Sequence, residues 1–355
     1  MALPRVDKAP FPWFGGKRDA AETVWKLLGD PHNYVEPFAG SLAVLLQRPH
    51  PANRPSYYET VNDADGLLIN AWRAIQLHPE ETAHHTSWPI TEADRMARSL
   101  AVLQWREERE LERLMADPEW CDPKIAGWWL YSVACTIGPL TGRGGWMVDP
   151  VSGRIVRRTT ESVSVDRTLP QLTNGQGVHH PDTRELGVSK TLGEDTEFHP
   201  IVMPELHKWF RWLSARLRHV RIINGDWSRV CRRSVLYTLQ VHMGDGYAGV
   251  FLDPPYGGTE RAGGLYACDD GAVAAEVRDW CLENGDDPRL RIVLAGFDTE
   301  HEVLERHGWT VYQWFTPGAL KGGMAKRGGE HQQHRERLWV SPHCSLPEQG
   351  SLFEL

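Results

Sequence analysis

The motif with the most direct chemical meaning is Asp253-Pro254-Pro255-Tyr256, which follows the apolar run Gly249–Leu252. The run predicts a buried strand, and the prolines predict a stiff turn at its carboxyl end, where ligands of open α/β sheets bind. The Asp253 carboxylate and the Pro254 carbonyl could accept both N–H bonds of an aromatic amine while Tyr256 stacks on its ring. The freed nitrogen lone pair could then attack a methyl donor in line, with no metal and no covalent enzyme intermediate. The alternative is that these four residues form an ordinary turn at the end of a strand, with no catalytic function.

A second segment combines the features of a nucleoside-binding turn. Residues 34–41 read YVEPFAGS, which predicts a strand, an acid, a glycine turn and the start of a helix over Ser41–Gln47. Such a turn places backbone N–H groups and the Glu36 carboxylate beside a cofactor. Asp63 follows a second predicted strand, at the position where an acid grips ribose hydroxyls in dinucleotide-type folds. On its own, this pattern fits any nucleoside cofactor.

Alternating strand and helix patterns surround both motifs and predict an α/β fold with an open parallel sheet. The alternation stops near residue 80 and resumes near residue 218. Between them lie charged helical patterns up to about residue 130 and then a Gly-, Thr- and Arg-rich stretch that predicts loops or hairpins. We therefore expect a discontinuous core of residues 1–80 and 218–342, an inserted region of residues 81–217 and a tail of residues 343–355. The predicted strands are 33–35, 57–61, 220–224, 249–253, 291–295 and 310–314.

The composition is that of a globular protein, with 41% hydrophobic and 24% charged residues among 355. No apolar run is long enough to span a bilayer and no signal-peptide pattern is present, so we expect a cytoplasmic protein. The six cysteines form no CxxC pair, which favours reduced thiols over a zinc site or a disulfide framework. The net charge of −8 argues against a protein that coats nucleic acid but allows a local basic face.

Six ordered segments together resemble the D12 class of DNA adenine methyltransferases, the Dam-type enzymes. They are PFPWFGGK (10–17), YVEPFAGSLAV (34–44), NDADGLLINAWRAI (62–75), IINGDW (222–227), VFLDPPYGG (250–258) and HRERLWVSP (334–342). The resemblance implies a Rossmann-like class I methyltransferase sheet with an inserted helical and loop-rich target-recognition region. It implies transfer of a methyl group from S-adenosyl-L-methionine to N6 of adenine in double-stranded DNA, without a metal. By the matching positions, the cofactor would be bound by Trp13, Gly16, Lys17, Glu36, Phe38, Gly40, Asp63, Asp226 and Asp253, and adenine would be held by Asp253, Pro254, Pro255 and Tyr256.

Two departures from the family pattern concern the cofactor turn and target recognition. Leu42 stands where the family often has a second glycine, and the insertion reads ACTIGPLTGRGGWMVD (134–149) instead of the usual Asn-Arg…Asn-Gly-Leu…Arg stretch. A GATC target therefore cannot be transferred to this chain. Arginines in the insertion are candidates for phosphate or guanine contacts, and an aromatic side chain there could fill the space left by a flipped adenine. The candidate nucleic-acid-binding residues are Arg143, Trp146, Arg154, Arg157 and Arg158, although each arginine also fits a solvated surface.

Three other functions are compatible with the same scaffold. An N4-cytosine methyltransferase acts on a similar amine, but such enzymes more often have serine in place of Asp253. An RNA or protein-glutamine methyltransferase would more often have asparagine there and no long insertion. A non-catalytic DNA-binding protein would be expected to have lost one of the acids, whereas Glu36, Asp63 and Asp253 are all present.

The chain ends with a short motif that could bind a partner. Residues 349–353 read QGSLF, which resembles the peptides that bacterial proteins insert into the replication sliding clamp. Leu352 and Phe353 would enter an apolar pocket and Gln349 would hydrogen-bond at its rim; a tail without a partner is the alternative. The clamp motif and the family fit a bacterial or phage-encoded protein. The sequence leaves open a stand-alone enzyme, a phage-borne enzyme and a member of a restriction-modification system.

Overall fold

The computed structural model describes residues 9–11, 13, 16–50, 54–87, 92–107, 110–135, 146–148, 155–157, 204–255, 270–313 and 335–345. The chain divides into two compact units. One, here called the sheet unit, comprises Lys17–Ala64 and His219–Leu355. The other, here called the helical unit, comprises Met1–Gly16 and Asp65–Arg218. Compactness does not test function, so the division into a methyltransferase core and a recognition insertion stays a prediction.

A seven-stranded, mostly parallel sheet forms the centre of the sheet unit, within the described residues. Its order is β5-β2-β1-β6-β7-β9-β8. The first five strands in that order run parallel, and β9 is antiparallel to both of its neighbours. This confirms the Rossmann-like α/β sheet expected from the sequence. The strands are β1 (Asn33–Glu36), β2 (Tyr58–Asp63), β5 (Val220–Asn224), β6 (Ala248–Leu252), β7 (Leu290–Phe297), β8 (Thr310–Tyr312) and β9 (Glu336–Val340).

The central strands are buried along their length, as a parallel sheet covered on both faces requires. All four residues of β1 and all five of β6 are buried. These two strands are neighbours in the sheet although the helical unit separates them in sequence. The helices of this unit are α1 (Ala21–Leu28), α2 (Ala43–Leu46), α9 (Arg233–Leu236), α10 (Leu239–Met243) and α11 (Asp270–Asn284), with 3-10 turns at Trp227–Arg229 and Glu302–His307.

The helical unit confirms the helices expected between residues 80 and 130. Its helices are α3 (Gly66–Leu77), α4 (Pro79–Thr86), α5 (Glu92–Glu107), α6 (Glu110–Ala116), α7 (Pro123–Cys135) and α8 (Pro204–Leu217). The α3 helix begins at Asp65, whose side chain accepts hydrogen bonds from the N–H groups of Leu67 and Leu68 at 2.9 and 3.3 Å. This is the capping chemistry expected for the polar turn at residues 62–66.

A buried arginine joins α3 to the end of α6. Arg73 is 1% exposed, and its Nη1 donates to the carbonyls of Leu114 and Asp117, both at 2.8 Å. A cation at this place satisfies carbonyls that have no partner at a helix carboxyl end and complements the helix dipole. Strands β3 (Trp146–Val148) and β4 (Ile155–Arg157) form an antiparallel hairpin in the same unit. The hairpin lies within the stretch expected to contain loops or hairpins.

Candidate active site

Four acidic residues gather at the carboxyl edge of the parallel sheet. Glu36 is the last residue of β1 and Asp63 is the last residue of β2. Asp253 directly follows β6, and Asp226 comes two residues after β5. Because these four strands run in one direction, their carboxyl ends meet at the same edge of the sheet, where ligands of such folds bind.

Glu36 is a buried carboxyl group in an unusual electrostatic setting. It is 2% exposed, and the Tyr34 hydroxyl donates a hydrogen bond of 2.9 Å to its Oε2. Burial raises the pKa of Glu36 to about 8, and the neighbouring Asp253 carboxylate also favours the protonated form. The hydrogen bond from Tyr34 and a backbone hydrogen bond from Leu45 act in the opposite direction on this pKa. Glu36 is therefore mostly protonated at neutral pH.

Asp253 has the opposite setting, because a cation lies beside it. Lys17 Nζ lies 3.1 Å from Asp253 Oδ1, and the exposed fractions of the two side chains are 3% and 20%. The next residue, Pro254, is buried, and Pro255 is half-buried. The DPPY motif thus begins directly after a buried strand, with its acid in an ion pair. Tyr256, the fourth residue of the motif, lies outside the described residues.

The loop after β1 is a tight turn that is tied to the end of β2. The N–H of Gly40 donates to Asp63 Oδ2 at 3.0 Å, and the N–H of Ala39 donates to the Asn62 carbonyl at 2.8 Å. Gly40 has a φ of 46°, in the left-handed region that favours glycine. The turn therefore brings the glycine backbone and the acid of the second strand together, as expected from the sequence.

Leu42, the residue that replaces a family glycine, keeps a glycine-like backbone. Its φ and ψ are 53° and 25°, and its side chain is fully buried where α2 begins. A left-handed conformation costs an L-residue with a side chain roughly 1–2 kcal/mol. Burial of a leucine side chain contributes about 1.5–3 kcal/mol, which offsets that cost. The departure from the family pattern thus leaves the course of the turn intact.

Two aromatic rings lie beside Asp226. Phe38 stacks on Trp227, with ring centroids 6.1 Å apart and planes at 25°. The Asp226 side chain accepts the N–H of Ser228 at 2.9 Å and so caps the 3-10 turn that contains Trp227. Asp226 itself is exposed. A flat apolar surface next to an exposed carboxylate suits a purine ring with an exocyclic amine.

Two amide side chains fix the loops that carry these groups. The Nδ2 of Asn62 donates to the carbonyls of Pro37 and Gly225, both at 3.0 Å. The Nδ2 of Asn224 donates to the Asp63 carbonyl at 2.9 Å. Both asparagines are buried. These bonds hold the edge loops after β1, β2 and β5 in a fixed relation to one another.

The remaining predicted site residues belong to the helical unit or lie outside the described residues. Trp13 and Gly16 belong to the helical unit, where Trp13 makes an edge-to-face contact of 5.9 Å with Phe11. In the hairpin, Trp146 is paired with Arg157 across the two strands. The predicted nucleic-acid and clamp residues outside the described part of the chain are Arg143, Arg154, Arg158, Gln349, Leu352 and Phe353.

Four residues that make contacts at this edge were not predicted from the sequence: Tyr34, Asn62, Asn224 and Trp227. Tyr34 lies two positions before Glu36, so strand alternation alone places both side chains on one face of β1. Trp227 follows Asp226 within a quoted motif, and its position in the stack could have been expected. Nothing local in the sequence indicates the bonds made by Asn62 and Asn224, because they join segments far apart along the chain.

Within the described residues, no cluster of three or more His, Cys, Asp and Glu side chains is arranged to hold a metal ion. No described helix is both long and apolar enough to cross a membrane.

The family comparison agrees with the site. The family model of the D12 class N6 adenine-specific DNA methyltransferases matches residues 13–94. This confirms, over that segment, the family resemblance drawn from the motifs. The class implies methylation of adenine in DNA with S-adenosylmethionine as the methyl donor. No curated protein matches the chain.

Proposed function

We propose that this protein transfers a methyl group from S-adenosylmethionine to the exocyclic N6 of adenine at a specific site in DNA. One observation carries the proposal: the DPPY acid, Asp253, stands at the same sheet edge as Glu36 and Asp63, and the segment that supplies those two acids matches the D12 family model. A methyl donor bound at this edge would thus lie beside the group that holds the acceptor.

The residues at the edge fit two chemical parts of the cofactor, its ribose and its adenine ring. Asp63, fixed by the N–H of Gly40, is placed to accept hydrogen bonds from ribose hydroxyls. Phe38 and the exposed Asp226 offer a ring surface and an acceptor for the adenine part. Glu36 is the buried acid nearest the turn, and Trp13, Gly16 and Lys17 complete the set assigned by the motifs. When bound, S-adenosylmethionine supplies a methyl group activated by the sulfonium.

The DPPY segment would hold and activate the acceptor base. Asp253 and the Pro254 carbonyl accept the two N6 hydrogens, which draws the nitrogen toward tetrahedral geometry and frees its lone pair. Pro255 stiffens the turn, and Tyr256 stacks on the adenine ring. The transfer is direct and in line, so the chain contributes mainly positioning and electrostatics.

An adenine within a duplex must leave the stack to reach this edge, so we propose that the protein flips its target base. The hairpin strands that contain Trp146 and Arg157, with Arg143, Arg154 and Arg158 in the adjoining segments, would contact the DNA. Four arginines within one stretch supply charge for phosphate contacts and forks for guanine. Recognition through this insertion would set the target sequence.

Methylation of genomic DNA in vitro tests the proposed reaction. Purified protein is incubated with methyl-labelled S-adenosylmethionine and unmethylated DNA, and the DNA is digested to nucleosides. We expect label in N6-methyladenine, and sequencing of the modified DNA would then give the target. Label in N4-methylcytosine would overturn the base assignment, and no label despite cofactor binding would exclude DNA as the substrate.

Clamp binding is a separate proposal that concerns the end of the chain. Gln349, Leu352 and Phe353 would dock the protein on the replication sliding clamp of a bacterial or phage host. A pull-down with purified clamp should retain the full chain and lose a chain that ends at Pro347. Equal retention of both chains would exclude this role for the tail.

A further inference from the structure

The ion pair between Lys17 and Asp253 joins the start of the described sheet unit to the catalytic strand. Lys17 precedes α1, whereas Asp253 follows β6, and their charged atoms are 3.1 Å apart. Lys17 is 3% exposed at its side chain. A lysine is rarely buried to this degree without a function for its charge, since its removal from water is costly unless it is paired. The pair is therefore a built part of the site.

The segment that contains Lys17 is anchored on the sheet unit from both sides. Gln47, at the carboxyl end of α2, donates a hydrogen bond of 3.0 Å to the carbonyl of Arg18. Trp25 of α1 donates from Nε1 to the Val44 carbonyl of α2 at 2.8 Å, so the two helices are bonded to each other. The ammonium of Lys17 thus stands on a fixed backbone beside the turn that follows β1.

The Asp253 side of the pair is equally fixed. Asp253 directly follows a fully buried strand and precedes two prolines, of which Pro254 is buried. A carboxylate that must accept N–H bonds from a base needs one orientation and a negative charge. An ammonium at hydrogen-bond distance fixes one carboxylate oxygen and so sets the direction in which the other oxygen points.

The charge balance of the site supports the same reading. Glu36, the other acid nearby, is 2% exposed. Its carboxyl group accepts hydrogen bonds from the Tyr34 hydroxyl and from a backbone N–H. It has no ion pair among the described residues. Burial raises its pKa to about 8, so it adds little negative charge at neutral pH. Of these two acids, Asp253 is the one that Lys17 pairs with.

We propose that Lys17 is a positioning residue that holds the Asp253 carboxylate in its reactive orientation. This inference rests on the proposed function and deepens it. It differs from the cofactor role that the motif gives to Lys17, because the ammonium acts through Asp253 and not on the methyl donor. It also predicts that loss of the lysine slows methyl transfer without weakening cofactor binding.

The test compares Lys17→Met, which keeps the length and removes the charge, with Lys17→Arg, which keeps the charge. Lys26→Met is the matched control, since Lys26 forms an exposed ion pair with Glu22 on α1. For each full-length protein we would measure the single-turnover rate of methyl transfer from pH 5.5 to 9. We would also measure the Kd of S-adenosylhomocysteine by calorimetry and the thermal unfolding midpoint.

For Lys17→Met we expect a rate about 30- to 100-fold lower at pH 7, as for misplaced catalytic groups. Its Kd for S-adenosylhomocysteine should stay within about 3-fold of the wild-type value, since the cofactor contacts remain. Lys17→Arg, which keeps a cation beside Asp253, should recover part of the lost rate, and Lys26→Met should match the wild type throughout.

Three results would overturn the inference. One is a Kd for S-adenosylhomocysteine raised more than about 30-fold in Lys17→Met, which would make Lys17 a cofactor ligand. Another is a wild-type rate in Lys17→Met. If Lys17→Met does not fold, Lys17→Arg decides: a Kd for S-adenosylhomocysteine raised more than about 30-fold in that variant would likewise assign Lys17 to the cofactor. Absence of transfer by the wild type would instead overturn the proposed function itself.

Discussion

The ends of strands β1 and β6 are neighbours in the sheet, and each presents a carboxyl group, yet their electrostatic settings are opposite. At the end of β1, Glu36 is 2% exposed and receives the Tyr34 hydroxyl. At the start of the DPPY turn, Asp253 is 20% exposed at its side chain and is paired with Lys17 at 3.1 Å. The first setting favours a neutral acid, whereas the second places a cation beside the carboxyl group.

The difference indicates a division of labour between two acids of one edge. A carboxylate that is to accept hydrogen bonds from an amine has to hold one orientation, and in the proposal Lys17 fixes that orientation at Asp253. A second full charge close by would raise the cost of ionising the first. Burial keeps Glu36 mostly neutral at neutral pH, so it does not repel a charge on Asp253. In the proposal, Asp253 is then the one carboxylate at the place where the base would be held.

The largest expected effect comes from removal of the charged member of the pair of acids. Asp253→Ala should lower the rate of methyl transfer by about 10²–10³-fold or more, because it removes an acceptor that acts on the reacting amine. Single-turnover assays with labelled S-adenosylmethionine would measure the loss. Thermal unfolding of the same protein would separate loss of activity from loss of the fold, because the substitution removes the carboxylate that pairs with the buried Lys17.

Asp279→Ala serves as the control for that substitution, because Asp279 is an exposed acid on α11. Its rate should equal the wild-type rate. An Asp253→Ala protein that binds cofactor and retains wild-type transfer would refute the role of the DPPY acid and with it the contrast between the two strand ends.

Glu36→Gln tests the neutral member of the pair through the pH dependence of stability. The pKa of Glu36 is raised to about 8 in the folded chain, so the folded state binds a proton that the unfolded state has lost above about pH 4.5. Stability contributed by the neutral group is therefore fully present below pH 4.5 and is lost as pH rises toward 8, at up to about 1.4 kcal/mol per pH unit. Glutamine is a neutral isostere and should remove this decline.

Urea unfolding at pH 5.5, 7 and 8.5 would measure the effect. The free energy of unfolding of Glu36→Gln should exceed the wild-type value by a margin that grows with pH and reaches roughly a few kcal/mol. Glu22→Gln, at an exposed position on α1, should give curves parallel to the wild type. Parallel curves for Glu36→Gln as well would mean that Glu36 is ionised like an ordinary acid.

Tyr34→Phe sharpens the comparison by removing the hydrogen bond at Glu36. The hydroxyl favours the ionised form of Glu36, so its loss should raise the pKa of that group further and extend the decline of stability to higher pH. At pH 7 the cost should be about 1 kcal/mol, the typical net value of one hydrogen bond. The measurement is again unfolding by urea over the pH series.

Tyr57→Phe is the matched control, because the hydroxyl of Tyr57 makes no hydrogen bond among the described residues. Its stability should follow the wild type at each pH. If Tyr34→Phe shows the same curve as Tyr57→Phe, the hydroxyl does not influence the titration of Glu36.

The smallest expected effect is a difference in stability between two variants of Leu42, in the turn that follows β1. Leu42→Ala and Leu42→Gly both lose a buried side chain, at a cost of about 2–5 kcal/mol. Because Leu42 has a φ of 53°, alanine keeps the backbone strain and glycine relieves it. Glycine should therefore be the more stable of the two by about 1 kcal/mol, contrary to its usual rank. Thermal unfolding of the two variants would give the order, and a more stable alanine variant would show that the turn is not strained at Leu42.

Much of this edge could be predicted from the sequence, because strands and turns have local patterns. The apolar run before Asp253, the glycine turn after Glu36 and the cap at Asp65 all lie where the patterns placed them. Strand ends differed by one or two residues: β2 extends to Asp63, and β8 ends at Tyr312. The boundaries depend on pairing with neighbouring strands, which a single segment does not encode.

The pairing of charges could not be predicted in the same way. Lys17 was assigned to the cofactor by its motif, yet in the structure it lies against an acid more than two hundred residues further along the chain. The protonation of Glu36 follows from burial, which depends on the packed sheet and not on the residue type. Contacts of this kind arise from the topology, so residue patterns located the groups without revealing their electrostatic relation.

The strand order also constrains how the chain can fold during synthesis. β1 ends at Glu36, but its partner β6 begins only at Ala248, so at typical elongation rates the ribosome needs roughly 10–40 s to supply it. Until then one backbone edge of β1 has no partner in the sheet, and an apolar strand edge of this kind invites aggregation. The nascent chain therefore has to be shielded, or to stay unfolded, while the inserted region is made. Pairing of β6 with β1 would then bring Asp253 to the same sheet edge as Glu36 in one late step, before β7, β8 and β9 are added to the sheet.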